Sequence, residues 1–97
     1  MEPISMIILA LIASLAGGTA IVVAYLNWAT VSNWITLNSL RNGYADVIAT
    51  RLATGKYQVV AGVFNSSGTR VHNQTWRAGQ LDGTLTGQLG QVIRVET

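Results

Sequence analysis

The sequence predicts an α+β membrane protein with an N-terminal transmembrane helix, a second amphipathic helix and a small β-hairpin-based head. Three features of the chain carry that prediction. No Asp, Glu, Lys or Arg stands between Pro3 and Leu40, and Ile4 to Leu26 is almost wholly apolar over about the length of a bilayer-crossing helix. From residue 29 to 55 apolar side chains recur at three- and four-residue intervals between polar ones. After Gly55 the apolar period shortens to two, with turn residues between the runs. The expected units are residues 1–28, 29–55 and 56–97.

The first unit reads as an uncleaved anchor. Met1-Glu2-Pro3 lacks the basic n-region of a secretory signal, and the apolar stretch runs on past a signal's usual length. All six basic residues, Arg41, Arg51, Lys56, Arg70, Arg77 and Arg94, follow the apolar run. The positive-inside bias then puts the N-terminus outside and the head in the cytoplasm, as a single-pass protein. Ala13, Gly17, Ala20 and Ala24 fall along one helical stripe, with Ala10, Ser14 and Gly18 beside it. Small residues at this spacing let two helices approach closely in lipid, so the stripe points to self-association. Tyr25, Trp28 and Trp34 are amphipathic rings suited to the headgroup level.

In the second unit Trp34, Leu37, Leu40, Tyr44, Val47, Ile48 and Leu52 form an apolar helical face, and Gly55 is a plausible C-cap. Asn42-Gly43 either splits the helix, kinks it or marks close packing. Asn27, Thr30 and Asn33, with Thr36 and Asn38, are placed to line a pore, to bond between helices or to form a solvated surface.

In the third unit Tyr57 to Phe64 is rich in strand formers, Asn65-Ser66-Ser67-Gly68 is turn chemistry, and Thr69 to Trp76 alternates. This predicts a β-hairpin. A lone hairpin is marginal in water, and Gln91 to Val95 supplies a third strand. Leu81, Leu85 and Leu89 between them suit a short helix or, given four nearby glycines, a loop.

The chemistry-bearing residues are sparse. The chain has 97 residues and no cysteine, which excludes disulfides, thiolate metal sites and thiol nucleophiles. His72 is the sole histidine, without clustered carboxylates to help it hold a metal. Ser66, His72 and Asp82 are the residue types of a hydrolytic triad but lack an oxyanion framework. Glycines 79, 83, 87 and 90 fit neither the dinucleotide fingerprint nor the P-loop. No enzyme, cofactor or metal site is expected. The net charge of +2 comes from scattered arginines, which suits lipid headgroups better than nucleic acid. A long apolar N-terminal helix before a small β-rich head resembles the layout of pilin-type filament subunits, although their basic leader, processing site and early helical glutamate are missing. The size and apolar character also resemble small phage holins. The expected function is a membrane-embedded, homo-oligomeric structural assembly with scope for a pore. The alternatives are a pilin-like extracellular filament subunit or a monomeric anchor with a partner-binding head.

Overall fold

The computed structural model describes residues 20–96. Seven elements follow in order: β1 (Ala20–Leu26), α1 (Trp28–Asn38), β2 (Tyr44–Arg51), β3 (Tyr57–Phe64), β4 (Arg70–Leu81), α2 (Gly83–Thr86) and β5 (Val92–Glu96). The strands form one five-stranded mixed sheet in the order β1-β4-β3-β2-β5. β1 runs parallel to β4, and all other pairs are antiparallel.

Two hairpins build the centre. β2 and β3 pair from Tyr44↔Phe64 to Arg51↔Tyr57, closed by a turn in which Lys56 O accepts from Leu52 N at 2.8 Å. β3 and β4 pair from Tyr57↔Ala78 to Phe64↔Arg70, with a bulge at Val63/Phe64. The predicted hairpin of Tyr57–Phe64 with the following run is therefore present, and Asn65 shapes its turn. Its Oδ1 accepts from the backbone N–H of Ser67 and Thr69, both at 3.0 Å. The expected third strand is β5, but it pairs with β2 rather than with the hairpin.

The fold class requires correction. Residues Ala20–Leu26, expected as the last turns of a spanning helix, are an edge strand hydrogen-bonded to β4. The physical signal is local: Ile21, Val22 and Val23 are three consecutive β-branched residues, with the aromatic Tyr25 after Ala24, a run that suits a pleated surface better than a helix. Among the described residues no helix is long and apolar enough to cross a membrane. The single-pass membrane localisation, and with it the transmembrane assignment, is not supported.

The second helix is also shorter than expected. α1 ends at Asn38, and Asn42-Gly43 turns the chain into β2 instead of kinking a helix. Asn42 takes a positive φ of 60° and Gly43 N donates to Leu40 O at 3.1 Å. A Cβ on Gly43 would stand 2.3 Å from the Phe64 carbonyl oxygen, so glycine is required there by contact with the neighbouring strand. Tyr44, Val47 and Ile48, which matched helical spacing, lie on β2. There Ala45, Val47 and Ala49 face one side at period two.

Both helices cover one face of the sheet. Val31 and Ile35 of α1 and Leu85 of α2 join Ala45, Val47, Ala49, Val59, Ala61, Val63, Trp76 and Ala78 in the main core. α1 connects β1 to β2 and crosses over the intervening strands, packing mainly on β3. Trp34 stands edge-on to Trp76 with ring centroids 5.9 Å apart. The other face carries a smaller cluster of Ile48, Val60 and Phe64, with Tyr44 packed on it.

Candidate functional site

β1 is the outermost strand of the described sheet, and its composition sets it apart. The strand Ala20-Ile21-Val22-Val23-Ala24-Tyr25-Leu26 has no charged residue. Three of its side chains are largely solvent-facing: Ile21 is 45% exposed, Val22 74% and Tyr25 53%. Sheet edges in ordinary monomers are blunted by charge, proline or brevity, and none of these devices is present here. Beside the strand runs a groove lined by Val22, Val23, Ala24, Lys56, Arg77, Ala78 and Gly79. Gly79 allows that close approach, since a Cβ there would lie 3.2 Å from Ala24 O. Arg77 is held along the sheet by its Nε, which donates to Gln58 Oε1 at 3.3 Å.

A second cluster sits at the β2–β5 side. Asp46 is fully buried and is held by Arg94 through two bonds, Nε to Oδ1 at 2.8 Å and Nη2 to Oδ2 at 3.0 Å. The guanidinium lies over the Tyr44 ring, 4.3 Å from its centroid, and Tyr44 stacks on Phe64 at 5.0 Å. The hydrogen bond to Asp46 raises the Arg94 pKa against the opposing effect of burial, with further raising by the charge of Asp46. The buried carboxylate is paired bidentately, so the pair reads as structure.

Asp82 is the remaining buried-side acid, and it too is occupied. Its Oδ2 accepts from Trp28 N at 2.7 Å and its Oδ1 from Leu85 N at 2.9 Å, while its own N–H donates to Leu26 O at 3.1 Å. One carboxylate therefore serves the N-termini of both helices and ties them to the end of β1. Ser66 and Asp82 flank opposite ends of the twelve-residue β4, so no triad with His72 assembles. Among the described residues no group of three or more His, Cys, Asp or Glu gathers in metal-holding proximity.

The residues singled out from sequence are distributed as follows. Ala20 and Ala24 lie on β1, not on a helical stripe; Ala10, Ala13, Ser14, Gly17 and Gly18 lie outside the described residues. Tyr25 is exposed on β1, whereas Trp28 and Trp34 pack partly buried against the main core. Asn27 is the N-cap of α1, accepting from Thr30 N and Thr30 Oγ1 at 2.9 Å each. Asn33 is exposed on the same helix. Sequence reasoning missed Asp46–Arg94 and the double cap by Asp82. The signals were a lone acid inside the apolar run Tyr44 to Ala49, and Asp82 directly before a turn-forming Gly-Thr-Leu.

No family model, curated protein or solved structure matches this chain.

Proposed function

We propose that this protein is a structural, non-enzymatic subunit that associates with copies of itself through the exposed edge of β1. The observation that carries the reading is an uncharged, seven-residue edge strand with Ile21, Val22 and Tyr25 facing solvent. An edge strand offers a row of backbone donors and acceptors to any strand that can align with it, and its exposed apolar side chains add burial on pairing. Identical copies suit this edge because an uncharged strand brings no like-charge repulsion against itself. Self-association is thus assigned to a strand edge, in place of the helical stripe expected from sequence.

Sedimentation velocity of the full chain tests the reading. Val22→Lys with Tyr25→Lys places charge on two solvent-facing positions without touching the core, and is expected to convert a dimer or larger species into a monomer. A wild-type monomer at all accessible concentrations overturns the proposal. Long fibres in electron micrographs would extend it to open-ended pairing, the geometry of a filament subunit.

A further inference from the structure

The backbone of β1 fixes which of its residues can bond to a further strand. Leu26 O accepts from Asp82 N at 3.1 Å, and Ala24 O lies against Gly79, so these carbonyls point inward to β4. Backbone groups of successive strand residues point alternately to the two sides. Ile21, Val23 and Tyr25 therefore direct their N–H and C=O groups outward. Side chains alternate as well, between the two faces of the sheet. Ile21 stands beside Trp76 and Val23 beside Ala78, both residues of the core under the helices, so Ile21, Val23 and Tyr25 share the helix side. Val22 and Ala24, both exposed, lie on the other side.

These positions are symmetric about Val23, the middle residue of β1. Resting on self-association through this edge, we propose that β1 pairs antiparallel with β1 of a second copy about a two-fold axis through Val23, normal to the sheet. Val23 then opposes Val23 of the partner copy, and each Ile21 opposes the partner's Tyr25. All three outward-facing residues fall in bonded pairs, giving about six backbone hydrogen bonds. Every exposed Tyr25 ring gains a β-branched side chain across from it, a favourable cross-strand pair. On the other side Val22 opposes the partner's Ala24, a large side chain against a small one at the lip of the groove. The groove's cations do not collide. The two copies of Arg77 are separated by both β1 strands, about 14 Å at ~4.8 Å spacing, further than the screening length of about 10 Å at 0.1 M salt. β5 suits this edge less well, since it is shorter and carries Arg94 and Glu96. The result is a closed dimer with one ten-stranded sheet, the helices of both copies on the same face.

Cross-linking of the full chain tests the register, and no native cysteine interferes. Chains carrying Val22→Cys mixed with chains carrying Ala24→Cys are expected to form the mixed disulfide about tenfold or more faster than either variant cross-links to itself. Opposed residues in a non-bonded pair stand about 4.5 Å apart, within disulfide reach, whereas like positions are offset by two residues along the strand. Fastest self-linking of Val22→Cys would put the axis at Val22 and reject the register. Neither cross-link forming in a chain that still sediments as an oligomer rejects β1–β1 pairing and leaves self-association standing; a wild-type monomer removes both. Species that grow without limit as concentration rises reject the two-fold closure. A charge exchange gives a second reading. Ile21→Lys and Tyr25→Glu are each expected to weaken the dimer by about tenfold or more in sedimentation velocity, and the two substitutions in one chain to recover it, because each lysine then opposes a glutamate of the partner copy. A double variant that stays monomeric rejects the opposition of Ile21 and Tyr25.

Discussion

Two carboxylates hold this domain at positions where a neutral residue would leave backbone or charge unanswered. Asp82 accepts from Trp28 N and Leu85 N, one oxygen for each helix start. Capping bonds are worth about 0.5–2 kcal/mol each, so Asp82→Ala is expected to cost roughly 2–3 kcal/mol in urea unfolding. Asp82→Asn retains a single acceptor oxygen and is expected to lose about half as much. Asp46 and Arg94 are asymmetric: the carboxylate side chain is 1% exposed and the guanidinium side chain 38%. Removing Arg94 strands a buried charge, whereas removing Asp46 leaves a cation that water already reaches. Arg94→Ala is therefore expected to destabilise by about 3 kcal/mol or more and Asp46→Ala by less, the reverse of what exposure alone suggests. Equal losses in a denaturant titration would contradict this account.

At the scale of elements, the Asn42-Gly43 turn decides where helix gives way to sheet. Gly43 sits against the Phe64 carbonyl of the adjoining strand, so Gly43→Ala must displace backbone. The expected cost is about 1–3 kcal/mol, read from the midpoint of thermal or urea unfolding. Leu37 supplies the contrasting case. It matched an apolar helical stripe in sequence but is 85% exposed, because the buried stripe of α1 runs through Val31 and Ile35 instead. Leu37→Glu is expected to change stability by no more than about 0.5 kcal/mol, and a large loss would show that this side chain is covered. The same ambiguity explains why Tyr44 to Leu52 read as helix. A strand buried on both faces shows no alternation, and its continuous apolar run matches either period.

For the described residues taken together, the exposed edge at β1 and the sheet face covered by α1 and α2 set the expected behaviour in solution. Pairing through β1 couples folding to association, so the midpoint of thermal unfolding is expected to rise with protein concentration. Val22→Lys with Tyr25→Lys is expected to remove that dependence while leaving the dilute-limit midpoint nearly unchanged, since both positions face solvent. A concentration-independent midpoint in the unaltered chain would argue against edge association.

What the sequence determined by itself was local. The hairpin of Tyr57–Phe64 with β4, the strand near residues 92–95 and the breaking capacity of Asn42-Gly43 follow from turn chemistry and side-chain period over a few residues. The absence of cysteine and the scarcity of ionisable groups likewise needed no structure. Tertiary structure decided the backbone partners of the last seven residues of the apolar run, Ala20–Leu26. Ile21-Val22-Val23 satisfies hydropathy as well inside a lipid helix as along a sheet edge, and only the backbone bonds available from β4 select the strand. It also decided the distant partners of Asp46 and Asp82, 48 and 54 residues away in sequence, because only the fold delivers Arg94 to the one and the N-terminus of α1 to the other. Long-range pairing of this kind leaves no periodic trace in a chain, because it depends on strand order and not on spacing.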